Sequence, residues 1–371
     1  MRSTRRSFLC ACSIASAAAA LPRFGTVGNA ADLKWVDVAD FPVAGRAFAD
    51  RKAPFDRLPL RAEGIVRKEV WDLSRDSAGM CVRFMTASPA IHVRYRLSSK
   101  SLALPHMPAT GVSGVDLYGL DGAVWRWLMV TRPTSQDVEA KLIDAAPVVG
   151  QPLPYQLWLP LYNGVDSMQL GVLEGSDVVS LPGPGKDSKP IVCYGTSIMH
   201  GACASRPGMA WPAIVSRALD REVFNFGFSG NGRMEQEVAQ YLCEVDAAAF
   251  VVDCLPNMTA ELVAERTELL VQQLRAARKD APILLIEDRT FASAWFSAER
   301  REQHERRRRA LRDAFARLQR DGVTGVHLLA GHGLLGDDDE GTTDGSHPND
   351  LGMMRQADKV LGALRPLLAP R

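Results

Sequence analysis

Ile191-Val192-Cys193-Tyr194-Gly195-Thr196-Ser197-Ile198-Met199-His200-Gly201 is an apolar run that breaks at a Gly-Thr-Ser turn. A buried strand that delivers a serine at its carboxyl end reads this way. Downstream the same rhythm recurs. Apolar runs predict strands at Pro190–Tyr194, Glu222–Phe226, Ala248–Asp253 and Pro282–Glu287, with Gly325–Leu329 a weaker fifth. Helical patterns at Trp211–Asp220, Met234–Glu244, Ala260–Arg278, Ser297–Arg320 and Leu351–Leu368 fill the intervals. Such alternation requires a parallel sheet covered by helices on both faces. Ligands of such sheets bind at the carboxyl ends of the strands, which is where Ser197 is expected.

Upstream of this segment the rhythm is different. Cys81–Met85, Ile91–Leu97, Val115–Tyr118, Ala123–Leu128 and Tyr155–Leu159 alternate apolar with polar residues, the period of a half-buried strand. Gly119-Leu120-Asp121-Gly122 suits a hairpin turn, and no 3.6-residue stripe interrupts the series. These residues predict an all-β sandwich over 31–182. The Pro-Gly-Pro-Gly-Lys-Asp-Ser stretch between Leu181 and Lys189 continues neither strand nor helix and marks a linker, so the α/β domain is expected over 189–371.

Lys and Arg number 44 against 43 Asp and Glu, so no net field gathers nucleic acid or an anionic membrane. Arg2, Arg5 and Arg6 precede an apolar run from Phe8 to Leu21, and Ser3-Thr4-Arg5-Arg6-Ser7-Phe8-Leu9 resembles a twin-arginine export signal. That run is too short to span the ~30 Å hydrocarbon core stably, and no second run of about 18 apolar residues occurs. The expectation is a signal peptide over 1–30, with Gly28-Asn29-Ala30 as cleavage site, and a soluble exported protein in the periplasm or outside the cell. Cys81, Cys193, Cys203, Cys243 and Cys254 would remain. An odd count without metal-ligand spacing reads as free, mostly buried thiols.

Asp344-Gly345-Ser346-His347-Pro348 follows the last expected strand, which puts a carboxylate and an imidazole on the sheet edge that carries Ser197. A serine hydroxyl needs a base to become a nucleophile, and the base needs an orienting carboxylate. A Gly-x-Ser-x-Gly elbow would place the serine in an α/β-hydrolase, but Met199 stands at the second glycine. The segment from about 189 to 369 instead resembles the SGNH, or GDSL-type, hydrolases. Their first block matches Gly195-Thr196-Ser197-Ile198. Their second-block glycine matches Gly230 in Asn225-Phe-Gly-Phe-Ser-Gly230, their third-block asparagine matches Asn257, and their Asp-x-x-His matches Asp344 and His347. Gly114-Val115-Asp116-Leu117-Tyr118 resembles the G-x-D-L-Y signature of a β domain that precedes some of these enzymes, and Pro160–Gly164 extends the likeness.

The resemblance implies a flavodoxin-like three-layer α/β/α hydrolase domain behind the sandwich, acting as a carboxylic ester hydrolase. Ser197 would be nucleophile, His347 general base and Asp344 its orienting acid. The Ser197 and Gly230 N–H groups with the Asn257 amide would form the oxyanion hole. No metal and no cofactor is required. The expected substrate is a small-molecule or carbohydrate ester, above all an acetylated carbohydrate. A lipase or short-acyl esterase, and an inactive carbohydrate-binding protein, are the alternatives. Asp116 is expected to be a buried structural carboxylate, and His200 a packing or surface residue. Asp337–Glu340 reads as a solvated acidic loop and Arg306–Arg309 as the solvent face of a helix. The sequence carries no signal for an oligomeric state.

Overall fold

The computed structural model describes residues 32–145, 151–185 and 188–369. The expected signal at 1–30 lies outside the described residues. Two antiparallel sheets come first, built from β1 (Leu33–Asp37), β2 (Val43–Ala44), β3 (Cys81–Thr86), β4 (Ala90–Leu97) and β5 (Asp116–Asp121). They continue through β6 (Val124–Val130), β7 (Asp137–Asp144), β8 (Leu153–Trp158), β9 (Val165–Leu173) and β10 (Val179–Ser180). One sheet has the order β1-β9-β4-β7; the other runs β10-β3-β8-β5-β6, with β2 on β3. Along β4 the inward residues Ile91, Val93, Tyr95 and Leu97 are buried and pack against Val82, Phe84, Leu117, Tyr155 and Leu157 of the other sheet. Burying one such side chain contributes about 1.5–3 kcal/mol, which holds the two sheets face to face as a sandwich.

Two details differ from the sequence expectation. β5 runs on through Gly119 and Leu120, so the hairpin turns at Gly122, whose φ is 60°. Gly119 is a packing position instead: a Cβ there would meet Leu128 Cδ1 at 3.0 Å. The β half also contains short helices, α1 (Lys68–Leu73) and α2 (Ala109–Val112), too brief to print a helical stripe. α1 and its approach do not pack in the sandwich. Leu58, Val66, Val70 and Trp71 join Tyr194, Phe226 and Phe228 in the core of the α/β half.

That second half contains β11 (Ile191–Gly195), β12 (Val223–Gly227), β13 (Ala249–Asp253), β14 (Ile283–Ile286) and β15 (Val326–Leu329). They form one parallel sheet in the order β12-β11-β13-β14-β15, the flavodoxin-like arrangement. Around it lie α3 (Ser197–His200), α4 (Trp211–Leu219), α5 (Gln236–Leu242), α6 (Ala260–Ala277), α7 (Ala298–Arg320) and α8 (Asp350–Leu368). β11 is flanked by β12 on one side and β13 on the other, so the chain direction through the sheet reverses beside it. The crevice this leaves at the strand ends is the place such sheets hold a ligand.

Only half of the basic run on α7 faces solvent. Arg306 and Arg309 are exposed, whereas Arg307 and Arg308 are buried. Arg307 Nη1 donates to the Asp288 carboxylate at 2.8 Å, and Arg308 Nε donates to the Asp288 carbonyl at 2.8 Å. A buried guanidinium is tolerated when carboxylate and carbonyl oxygens satisfy it, and a charge run alone does not betray that pairing. The acidic loop is exposed as expected, with Asp338 held by Arg355 at 2.7 and 2.8 Å. Among the described residues no helix is long and apolar enough to cross a membrane.

Candidate active site

Three neighbouring strands deliver three of the expected residues. β11 ends at Gly195 and the chain turns through Thr196 into α3, whose first residue is Ser197. Thr196 caps that helix, its Oγ1 accepting from Ile198 N–H at 3.3 Å. The Ser197 carbonyl is fixed by Gly201 N–H at 2.9 Å, Ala202 N–H at 2.8 Å and the Tyr162 hydroxyl at 3.2 Å. Gly230 follows β12 with φ 70°, and a Cβ there would meet nothing within 4 Å. Left-handed backbone, rather than crowding by the protein, is what selects glycine at this position.

Asn257 ends a 3-10 turn after β13, where its Oδ1 accepts from Gly232 N–H at 3.3 Å. It does not cap α6, because Thr259 Oγ1 does so by accepting from Leu262 N–H. With Oδ1 engaged, Nδ2 is left as a donor. Among the described residues neither that amide nor the N–H of Ser197 or Gly230 donates to any protein group.

The long loop between β15 and α8 brings the remaining pair. Ser197 Oγ lies 2.9 Å from His347 Nε2, and His347 Nδ1 lies 2.7 Å from Asp344 Oδ2. The other carboxylate oxygen, Oδ1, accepts from His347 N–H at 2.8 Å and Ser346 N–H at 3.0 Å. Partial burial pushes the Asp344 carboxyl up, but the bonds from the His347 backbone and ring outweigh it and hold it below the usual carboxylate range.

Sequence patterns of two families match this chain: the GDSL-like lipase/acylhydrolase family over residues 188–365, and the N-terminus of SGNH-hydrolase-type esterases over residues 33–178. A protein assigned as a GDSL-like lipase from Bacteroides ovatus ATCC 8483 has a crystal structure similar to this one. The TM-score is 0.86 at 32% identity, covering 91% of this chain and 98% of that one. The chain belongs to the GDSL-like lipase/acylhydrolase family. It is an ester hydrolase of the GDSL type.

At lower identity the likeness is one of fold. Salicylyl-acyltransferase SsfX3 from a tetracycline biosynthetic pathway is 19% identical with a TM-score of 0.69, over 91% of this chain and 99% of that one. The acetyl xylan esterase Est2A from the rumen bacterium Butyrivibrio proteoclasticus is 9% identical with a TM-score of 0.58, over 91% and 99%. No curated protein matches the sequence.

In this GDSL-type esterase residues of the N-terminal half reach the strand ends, Tyr162 at the Ser197 carbonyl and Arg57 at β12. Arg57 is buried and donates to the carbonyls of Asn225 at 3.0 Å and Gly227 at 2.6 Å, tying down the end of β12. Burial lowers its pKa to about 10, with Asp76 opposing, so the guanidinium stays charged. His200 is fully buried, its ring stacked on Tyr162 with centroids 4.1 Å apart. Burial, and then the Arg57 charge, hold it well below the ordinary histidine range, which makes it a neutral packing residue. Sequence reasoning had no signal for Arg57, whose partners lie 168 and 170 residues away.

Asp116 is buried and structural, as expected. Trp127 Nε1 donates to Oδ1 at 2.7 Å; Arg206 Nη1 and Gly208 N–H donate to Oδ2, each at 2.9 Å. The carboxylate therefore fastens β5 to the turn that follows α3. The five cysteines among the described residues are free, and all but Cys243 are buried.

Proposed function

We propose that this GDSL-type esterase is a serine hydrolase with Ser197 as nucleophile, His347 as general base and Asp344 as the orienting acid. The observation that carries the reading is the 2.9 Å contact of Ser197 Oγ with His347 Nε2, continued at 2.7 Å from Nδ1 to Asp344. As Oγ attacks the ester carbonyl, Nε2 takes its proton, and the Asp344 charge stabilises the imidazolium. The proton then passes to the departing alkoxide. Water repeats the cycle on the acyl-enzyme. Negative charge on the carbonyl oxygen is met by the Ser197 and Gly230 N–H groups and the Asn257 amide, three donors with no protein partner among the described residues to give up.

The substrate in this reading is an acetylated carbohydrate, and the division of labour is a β domain over 31–182 and a hydrolase domain over 189–371. Est2A, of like fold, is named for such a substrate. Trp295 and Phe296 support it further: they are 76% and 79% exposed on the loop between β14 and α7, at the carboxyl edge of the sheet. That loop is joined to the acid–base loop by Ala292 N–H, which donates to the Gly345 carbonyl at 2.9 Å. Exposed flat rings suit the apolar face of a sugar. Trp295→Ala should raise KM for an acetylated glycan a few- to tenfold, equivalent to about 0.5–1.5 kcal/mol, and leave p-nitrophenyl acetate hydrolysis unchanged. Acetate release from acetylated xylan, compared with long-chain acyl esters, tests the substrate class. Faster turnover of the long chains would make it a lipase.

Residues 1–30 are read as a twin-arginine signal, so that the enzyme works outside the cytoplasm. Arg5→Lys together with Arg6→Lys should stop export, measured by fractionation. The pH profile follows from the acid–base pair. Only neutral imidazole accepts the serine proton. Asp344 is held below the usual carboxylate range by its bonds to His347 and Ser346, so it keeps its charge further into acid than an ordinary carboxylate. The acid limb of kcat/KM should therefore fall with a slope of one on logarithmic axes. A slope of two would mean that the carboxylate titrates in the same range.

A further inference from the structure

Three side chains of the kind that bind a thiophilic divalent cation meet beside the acid–base pair. His106 lies in the loop before α2, Cys203 in the loop after α3 and His347 in the loop before α8. One ligand atom of each falls within 4.8 Å of the others. The rings of His106 and His347 are 5.6 Å apart between centroids, and Cys203 Sγ donates to the His106 carbonyl at 3.5 Å. Cys203 stands in left-handed backbone at φ 67°, uncommon for a residue with a side chain. The sequence spacing shows none of this, because His106 and Cys203 are 97 residues apart.

We propose that His106, Cys203 and His347 form a Zn²⁺ site whose occupation switches the esterase off. A thiolate and two imidazoles are a zinc ligand set, with the fourth position open to water. Zn–S near ~2.3 Å and Zn–N near ~2.0 Å put the tetrahedral ligand atoms about 3.3–3.5 Å apart. The widest separation must therefore close by about an ångström on binding. On binding, the thiol proton passes to solvent and the Sγ lone pair goes to the metal; nothing is oxidised or reduced.

Both ring nitrogens of His347 are engaged, Nε2 by Ser197 Oγ and Nδ1 by Asp344 Oδ2. Whichever one takes the metal, a bond that makes the imidazole an oriented base is lost. The inhibition rests on His347 being that base, whereas the metal binding does not.

Two readouts on the full-length protein separate these. Co²⁺ should give a thiolate-to-metal absorption band in the near ultraviolet, absent from Cys203→Ser. Zn²⁺ should inhibit p-nitrophenyl acetate hydrolysis reversibly, with recovery on adding a chelator. Cys203→Ser and His106→Gln should each keep basal activity and raise the half-inhibiting Zn²⁺ concentration at least ~10-fold. Absence of the thiolate band, or equal inhibition of wild type and both variants, would overturn the site. A band without inhibition would overturn the switch and count against His347 as base.

Discussion

Ser197→Ala should lower kcat for ester hydrolysis by about a millionfold while the protein melts at an unchanged temperature. Nucleophile and base act as one unit, so His347→Ala should be as severe and the double variant hardly worse. The fold should survive because the Ser197 turn is held through its carbonyl, by Gly201, Ala202 and Tyr162, and among the described residues the side chain bonds only to His347. Asp344→Asn should be milder, near 10⁴-fold, since an amide oxygen can still accept from the His347 and Ser346 N–H groups but orients the imidazole poorly. Steady-state kinetics with p-nitrophenyl acetate and circular-dichroism melting check both halves. An active Ser197→Ala variant would remove the serine from the mechanism.

Asn257→Ala should lower kcat by about a hundred- to a thousandfold, or ~2.7–4 kcal/mol, and move KM far less. The amide meets the carbonyl oxygen most strongly once that oxygen is an anion, and binding confined to the transition state appears in kcat. A capping role would have predicted lost stability instead, but Thr259 caps α6. Among the described residues the Asn257 side chain makes one hydrogen bond, Oδ1 accepting from Gly232 N–H, worth about 1 kcal/mol, so the melting temperature should shift by only a few degrees. Normal turnover with early melting would reverse the assignment and make Asn257 a structural residue.

Local chemistry decided what the sequence could reveal. Strands such as Ile191–Gly195 were legible because a sheet buried on both faces leaves unbroken apolar runs, and Ser197, Asp344 and His347 were legible because they stand in short motifs beside such runs. Arg57 and the packing of Leu58, Val66 and Val70 against the α/β core were not, since each depends on partners distant in the chain. The same holds for Arg307 and Arg308, indistinguishable in composition from their exposed neighbours until Asp288 is placed beside them. Gly230 was legible only through its place in the second block, which does not show that the backbone there, at φ 70°, itself favours glycine.

The most direct test of the account is to label the protein with a fluorophosphonate, digest it and locate the adduct by mass spectrometry. The account predicts one adduct, on Ser197, formed slowly in Asn257→Ala and absent from Ser197→Ala. An adduct on any other serine, or undiminished labelling of the Ser197→Ala variant, would contradict it.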